Sequence, residues 1–429
     1  MKYKFNGLTA FFIVLSISLQ LQAVEKIENL DAKVVKKVKK RKKLKSIKDQ
    51  HKTGLLFLGE TVGLGYDSNP YVTPSDTYVD YSVAATPTIT PKVESGFFVP
   101  LHLDVYYGQK IKKNFYYGLN ANIKGRFFVD SSLQNANNHH TVVSVDSTYY
   151  NARYKSRKSG LKASLFFINH YEIYVDHDNG EFKNTQFDGT GTDIENRYQY
   201  TSNGVDLNYF TTHRKWELWS KLHYEVLDYE TPAKWSQLDH NYYYASLKGK
   251  RKFNKKSKGT LEYRYSVRDY DVRPSYSFTA TNIRLSIKNG ALHYTFHDLK
   301  SRLDRVLNKK TSLTVNYDYQ QRIDATQGYN NSQSHKIKVT GKYKWNKKLS
   351  QVLFVQWSER TYENAHAYDE TPQFEAKYYQ KDDFGTTFNY KASKHMTLKA
   401  GMKLEDQFSS DKRYDYERMT TFVTLMKNF

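Results

Sequence analysis

The chain has 429 residues, no cysteine and a formal net charge of +22 at pH 7. The lack of cysteine excludes disulfide frameworks, thiolate zinc sites and cysteine nucleophiles. The chain carries 38 Tyr and 24 Phe against only 8 Pro, yet its mean hydropathy is strongly negative. This combination argues against two or three soluble domains. It favours an all-β membrane protein whose aromatic side chains face lipid while its interior stays polar.

The first 23 residues are typical of a secretory signal peptide. Lys2 and Lys4 form a basic start, residues 8–19 are mostly apolar, and cleavage is expected after Ala23. A retained N-terminal anchor is the alternative, although the apolar stretch is short for a membrane span. No later run of about 18 apolar residues occurs, so no membrane-spanning helix is predicted.

Residues 24–53 hold twelve Lys or Arg and four Asp or Glu, a net charge of +8. Ile27, Leu30, Val34 and Val38 recur at near-helical spacing, which fits a periplasmic amphipathic helix on anionic head groups. A disordered linker is the alternative, because blocks of like charge repel and stay unfolded. A basic run also suits nucleic acid, but a secretory signal argues against that partner and none is expected.

From residue 54 to Phe429, segments of roughly ten to fifteen residues alternate apolar with polar side chains between turns. Period-two alternation without long apolar runs predicts an antiparallel transmembrane β-barrel of the bacterial outer membrane. Short lysine-rich links are assigned to the periplasm and longer Asp- and Asn-rich loops to the outside. The short links are 110–114, 156–160, 212–215, 254–258, 346–348 and 392–395, and the longer loops are 130–140, 176–196, 230–239, 324–334 and 362–381.

The two faces of the predicted strands separate well in 115–127, 261–268, 335–345 and 396–405. A lysine that faces lipid at the midplane costs about 2–4 kcal/mol, so the lysine-bearing faces are assigned to a wet lumen. A soluble β-sandwich would give the same alternation with its apolar face inward, and the signal peptide argues against it. Aromatic residues beside the short links, such as Trp216 and Trp345, predict an interfacial girdle.

The strand number is expected to be even and about sixteen, with about fourteen or eighteen as alternatives. Two regions break the alternation. Residues 77–110 fit either one irregular strand plus one regular strand or a full hairpin. Residues 279–307 contain Asn289-Gly290, which fits either a tight turn or a bulge.

Two short motifs carry resemblances. The alternating end of the chain closes on Phe429, with Lys427 where an apolar residue is usual, and resembles the signal read by the barrel-assembly machinery. Gly65-Tyr-Asp-Ser-Asn-Pro70 resembles a recurring opening of outer-membrane barrels linked to exopolysaccharide export, and of the barrel domain of surface lipoprotein assembly modifiers. These resemblances imply an outer-membrane location, and the secretory signal ahead of the barrel predicts a periplasmic N-terminus. The hexapeptide also has the composition of a good turn.

The faces assigned to the lumen are basic, and rings of basic side chains favour anions. The leading hypothesis is therefore a porin-like channel that prefers anions or acidic saccharides. The alternative is a wall that lysines merely solvate. The lumen-lining candidates are Lys124, Arg126, Lys221, Arg264, Arg268, Lys336, Lys338, Lys342, Lys344, Lys399 and Lys403.

The loop 176–196 is acidic, and inside a basic lumen it would narrow the pore and set a transverse field. An exposed, solvated loop is the alternative. Asp176-x-Asp178-x-Gly180 lacks the remaining ligands of a calcium loop, so no metal is predicted. The constriction-loop candidates are Asp176, Asp178, Glu181, Asp188, Asp193 and Glu195.

Other function classes are alternatives to a channel. An enzyme is not expected, because no His-Glu-x-x-His or Gly-x-Ser-x-Gly context occurs. A barrel for exopolysaccharide or surface-lipoprotein export and a non-conducting scaffold or receptor are alternatives to the channel. No cofactor is predicted. The expected partners are outer-membrane lipid and lipopolysaccharide, the barrel-assembly machinery, and an anionic solute or polysaccharide; the solute, its direction and the oligomeric state stay open.

Overall fold

The computed structural model describes residues 55–81, 85–112, 114–154, 157–181, 194–230, 237–279, 282–285, 289–368 and 375–428. The predicted signal peptide 1–23, the basic segment 24–53 and Phe429 lie outside these ranges, as do Asp188 and Asp193 of the acidic loop. Within the ranges, no helix is long and apolar enough to cross a membrane.

The described residues contain sixteen strands that form one closed antiparallel barrel, the fold class and strand number predicted above. Each strand pairs with its neighbours along the chain, and the first strand pairs with the last. In chain order, β1 to β16 are Leu55–Asp67, Gly96–Lys112, Phe115–Phe128, Asn138–Tyr154, Arg157–Glu172, Tyr200–His213, Trp216–Tyr229, His240–Lys252, Ser257–Pro274, Ala291–Val306, Thr311–Asp324, Ser332–Lys344, Leu349–His366, Ala376–Lys391, Met396–Ser409 and Tyr416–Asn428.

The outside of the barrel is apolar and the lumen is polar, because successive side chains of a strand point to opposite faces. On β8, Leu247 is 67% exposed while the preceding Ser246 is buried. On β16, Val423 and Leu425 are exposed and Thr424 between them is buried. Exposed aliphatic rows of this kind are unfavourable in water but match acyl chains. The architecture is therefore that of a transmembrane barrel.

Asparagine side chains close the short turns at one end of the barrel. Asn254 Oδ1 accepts hydrogen bonds from the N–H groups of Lys256 and Ser257, both at 2.8 Å. Asn308 and Asn346 accept from their second and third following N–H groups in the same way, at 2.7–2.9 Å. Asn-Lys-Lys is thus a repeated turn. The one at residues 308–310 was missing from the predicted links.

Strands extend into several segments that were assigned to turns and loops. β5 begins at Arg157, so residues 157–160 belong to the strand and not to a link. β13 continues to His366 and β14 begins at Ala376, inside the predicted loop 362–381. The outer loop between β13 and β14 and the link before β5 are consequently shorter than predicted.

In each of the two irregular regions one barrel strand follows a small hairpin of an outer loop. In the first, Tyr78–Val79 pairs with Thr88–Ile89 before β2 begins. In the second, Tyr276–Thr279 pairs with Asn282–Leu285 before β10 begins. Asn289-Gly290 precedes β10, with Gly290 at φ +80°, and is neither a barrel hairpin nor a bulge. The loop hairpins alternate like strands without adding to the barrel.

A buried ion cluster ties the seam where β1 meets β16. Asp67 is fully buried and accepts hydrogen bonds from Arg126 Nη1 at 2.8 Å and from Arg418 Nε at 2.9 Å. Asn69, also buried, donates to the carbonyl oxygens of Thr73 and Glu417 and so holds the following turn. The hexapeptide Gly65–Pro70 therefore ends β1 and stabilises the closure.

Replacing Asp67 by Asn should lower the free energy of unfolding by about 3–5 kcal/mol, because two guanidinium groups lose their buried carboxylate. Urea titration of the refolded protein in detergent, followed by tryptophan fluorescence, measures the change. Asp269→Asn is the control, since this carboxylate is 55% exposed beside His293 and its loss should cost below about 1 kcal/mol. Equal losses in both variants would show that the seam cluster contributes no more than a surface pair.

Candidate functional site

The basic candidates occupy lumen-facing positions of their strands. On β12, for example, Ile337 is 41% exposed to the outside between Lys336 and Lys338. The alternation places the full set on the lumen face: Lys124 and Arg126 on β3, Lys221 on β7, Arg264 and Arg268 on β9, Lys336, Lys338, Lys342 and Lys344 on β12, and Lys399 and Lys403 on β15.

Some of these bases are balanced by nearby carboxylates. Lys221 Nζ lies 2.8 Å from Asp206, and Arg264 Nη2 lies 2.7 Å from Asp298. Lys403 Nζ lies 2.8 Å from Glu405, and Arg126 belongs to the Asp67 cluster. Close opposite charges cancel at a distance, so these pairs add little to the net field in the lumen.

The other bases have no carboxylate within 4.0 Å among the residues that the structure describes. They are Lys124, Arg268, Lys336, Lys338, Lys342, Lys344 and Lys399. Four stand in line on β12, and we call Lys336, Lys338, Lys342 and Lys344 the lysine ladder. Lys338 Nζ lies 4.0 Å from the centroid of the Phe354 ring. Asp318 stands opposite Lys336 in register without forming such a pair.

Sequence reasoning missed several basic residues of the lumen, among them Arg360 on β13 and Lys381 on β14. Lys381 was missed because residues 362–381 were read as a loop, whereas β14 begins at Ala376. Its Nζ lies 2.5 Å from Glu405 and 2.6 Å from the hydroxyl of Tyr416. The alternation along β13 and β14 was the signal that would have found both residues.

Aromatic rings lie flat against the lumen wall over glycines. Phe166 on β5 covers Gly204 on β6, where a Cβ would come within 2.2 Å of the ring. Phe210 on β6 covers Gly160 on β5 in the same way, at 2.5 Å. Each ring has one face on backbone and turns the other toward the lumen. Further ring–glycine pairs are Tyr106 with Gly108 and Gly118, Phe354 with Gly385, Phe422 with Gly401, and Phe98 with Gly65.

A row of rings surrounds much of the outer end of the lumen, and we call it the aromatic belt. From β4 to β10, successive ring centroids are 4.9–6.0 Å apart along His140, His170, Tyr200, Tyr229, His240, Tyr270 and Tyr294. Arg322 on β11 lies over both Tyr294 and Tyr362, and Tyr379 follows at 6.0 Å from Tyr362. Ring contacts of this kind stabilise by about 0.5–1.5 kcal/mol each beyond their buried area.

The acidic loop between β5 and β6 is anchored to other outer loops. The hydroxyl of Tyr78 donates to both carboxylate oxygens of Asp178, at 2.9 and 3.0 Å. His177 Nδ1 lies 2.6 Å from the carbonyl oxygen of Tyr71. Asp176 accepts from the N–H group of Asp178 at 3.0 Å. Of the candidates, Asp176 and Asp178 thus hold the loop itself, Glu181 is exposed, and Glu195 begins a 3-10 turn.

The same loop also extends over the outer end of the lumen. Tyr198 packs against the buried cluster of Leu238, Tyr270, Leu292 and Tyr294, and the ring of Tyr174 lies 5.0 Å from it. Burial raises the pKa of Tyr414 to about 12, and the Asp411 carboxylate adds to the rise, followed by Tyr174 and Tyr198. Tyr414 belongs to the loop between β15 and β16. The β5–β6 loop therefore reaches the wall at β9 and β10.

A histidine–carboxylate network on the lumen wall does not form a hydrolytic triad. His223 Nδ1 lies 2.8 Å from Asp206, and its Nε2 lies 3.2 Å from Glu225. The hydroxyl of Ser202 donates to Glu225 at 2.6 Å, not to the imidazole. Both imidazole nitrogens face carboxylates, so the imidazole is not positioned to take the proton of Ser202. In the described part of the chain, no group of three or more His, Asp or Glu is placed to hold a metal ion.

Comparison with known proteins gives distant fold similarity. No protein-family model and no curated protein matches the chain. OmpT, an outer membrane protein of Vibrio cholerae, is 9% identical, with a TM-score of 0.43 over 88% of this chain and 98% of that one. OccAB1 of Acinetobacter baumannii is 11% identical, with a TM-score of 0.44 over 87% and 97%. A bacterial polysaccharide outer membrane secretin is 10% identical, with a TM-score of 0.41 over 86% and 98%. Sequence identities and TM-scores this low do not assign a function to this chain.

Replacing Gly204 by Ala should lower the free energy of unfolding by about 1–3 kcal/mol, because the added Cβ overlaps the Phe166 ring and the Tyr224 carbonyl. Urea titration in detergent measures the change. Gly341→Ala is the matched control, since nothing lies within 4 Å of its Cβ position. That variant should be neutral or more stable by up to about 1 kcal/mol. A Gly204→Ala variant as stable as Gly341→Ala would show that the ring does not rest on the glycine.

Proposed function

We propose that this protein is an outer-membrane channel whose basic lumen favours anions, acidic saccharides among them. The closed barrel supports a channel, because barrels of about sixteen strands leave an aqueous passage unless something plugs it. The observation that carries the anion preference is the lysine ladder, whose charges have no carboxylate partners among the described residues.

Unbalanced charge on one part of the wall is what supports selectivity. The pairs formed by Lys221 and Arg264 cancel most of their own field. The lysine ladder on β12 and Lys399 on β15 have no carboxylate within 4.0 Å among the described residues to offset their charge. A wall with one sign of free charge concentrates ions of the opposite sign in the lumen.

The rings across the lumen favour a saccharide over a small inorganic anion. β4 to β8 stand opposite β12 to β16 in the closed barrel. On the former, Phe166, Phe210 and Tyr244 present rings to the lumen, and Lys221 Nζ lies 5.1 Å from the Tyr244 centroid. A pyranose has a C–H face that packs on aromatic rings and hydroxyls that bond to polar neighbours. An acidic saccharide can contact the rings on β4 to β8 and the lysines on the opposite wall.

Replacing all four residues of the lysine ladder by Glu should turn an anion-preferring channel into a cation-preferring one, because the free charge on this wall changes sign. The reversal potential of single channels of the refolded protein, in planar bilayers under a KCl gradient, reports the preference.

The control carries the same change of net charge outside the lumen. Lys255, Lys256, Lys347 and Lys348 are exposed in the short turns, and their joint replacement by Glu should leave the reversal potential nearly unchanged. An equal shift in both quadruple variants, or cation preference in the unmodified protein, would contradict the proposed anion selectivity. A folded protein without conductance would instead favour a non-conducting scaffold.

Removing residues 177–195 and joining the ends with a short Gly-Ser link should raise single-channel conductance, if the β5–β6 loop narrows the outer end of the lumen. The deletion removes the anchor at Asp178 and releases Tyr198, whose 3-10 turn begins at Glu195. Tyr198→Ala is a milder variant and should give a smaller increase. Unchanged conductance in both proteins would mean that the loop is merely exposed and solvated.

A further inference from the structure

A recess of about 340 Å³ opens near the outer end of β12 to β15. It is lined by Ser334, Arg360, Tyr362, Tyr379, Lys381 and Tyr414, together with Ser358 and Gln407. Its volume lies at the small end of the range for small-ligand sites, about 300–1,000 Å³. Ser334 precedes Lys336 on β12, so the recess continues the lysine ladder toward the outside.

The recess is lined by hydrogen-bond donors that have no acceptor within the described chain. Arg360 makes no hydrogen bond or ion pair with a described residue, and neither do the hydroxyls of Tyr362, Tyr379 and Tyr414. All four side chains are partly exposed, so these donors reach solvent. Several donors that converge on one concave surface without internal partners are typical of a site for a polar ligand.

The charge in the recess is positive. Lys381 and the neighbouring Lys403 are balanced by Glu405 and Asp383, with contacts of 2.5–3.9 Å. Arg360 has no such counterpart in the described structure. Glu359 borders the recess, but the alternation along β13 places its side chain on the lipid-facing side. The ligand that complements this surface therefore carries a negative charge.

The rings give the recess apolar walls at steep angles to each other. The Tyr379 ring lies 6.0 Å from Tyr362 at an interplanar angle of 65°, and 5.5 Å from Tyr414 at 81°. Gln407 Nε2 donates to the carbonyl oxygen of Tyr414 at 2.9 Å and fixes this loop residue over the strands. An anionic ligand that also has an apolar face and several acceptors fits this surface better than a compact anion.

We propose that the recess binds one uronate unit of an acidic oligosaccharide. Arg360 pairs with the carboxylate, for which a guanidinium has matching bidentate geometry. The hydroxyls of Tyr362, Tyr379 and Ser334 bond to the sugar hydroxyls, and the rings pack on its C–H face. The site deepens the proposed channel function and rests on it for access through the lumen.

Isothermal titration calorimetry on the full refolded chain in detergent, with trigalacturonate as ligand, tests the site. Maltotriose has the same kind of linkage without carboxylates, and citrate has carboxylates without a sugar ring. Trigalacturonate should bind more tightly than either. Citrate binding as tight as trigalacturonate, or no binding of trigalacturonate, would overturn the proposal.

Arg360→Gln should weaken trigalacturonate binding about tenfold to a hundredfold, because a hydrogen-bonded charge pair is lost. Lys344→Gln is its control, since it removes one lumen charge at the opposite end of the lysine ladder. Tyr379→Phe should weaken binding about threefold to tenfold. Tyr378→Phe is its control, because Tyr378 lies on the outer face and its hydroxyl bonds to Gln380.

Equal weakening by Arg360→Gln and Lys344→Gln would overturn the recess as the site and assign the effect to the general field of the lumen. Arg360→Lys, which keeps the charge, should recover part of the affinity and shows that the substituted chain is folded. An anion-selective channel without trigalacturonate binding overturns this inference alone. A chain that binds trigalacturonate but passes no current overturns the channel and supports the recess.

Discussion

Closure of the hydrogen-bond ladder is the constraint on which the rest of this structure depends. An open sheet edge in lipid leaves N–H and C=O groups unpaired at several kcal/mol each, so β1 must pair with β16. The pairing runs from Gly59 opposite Asn428 to Asp67 opposite Thr420. Asp67 adds a buried side-chain tie at the same seam. Once the sheet is closed, one face of every strand meets lipid and the other meets the lumen.

The lumen combines three kinds of surface, and each has a different physical role. Paired groups such as Arg264 and Asp298 stiffen the wall with little net field. Rings that lie on glycines, such as Phe166 on Gly204, give flat apolar patches inside a polar lumen. The lysine ladder has no carboxylate partner in the described structure, and the same holds for Arg360 beside a recess of about 340 Å³. An acidic saccharide is the solute class that we propose for these surfaces.

Local pattern was sufficient for much of this architecture. The alternation in 335–345 placed Lys336 and Ile337 on opposite faces, as the structure has them, because facing depends only on position within a strand. The Asn-Lys-Lys turns close through bonds between close neighbours such as Asn254 and Ser257, so composition already indicates them. The strand number was harder to predict from the sequence. The short strands of the loop hairpin around residues 276–285 alternate like barrel strands, but they pair with each other and not with the barrel.

By itself, the sequence determined the barrel class and the alternation of strand faces, since these follow from residue type and a period of two. Only the tertiary structure decided which basic side chains form ion pairs with carboxylates. Arg418 meets Asp67 from 351 residues away, and Lys221 finds Asp206 across a hairpin. Tyr414 joins the recess from a loop that no pattern connects with Arg360. The reason is register: a shift of two residues preserves the faces of a strand but changes every partner across it.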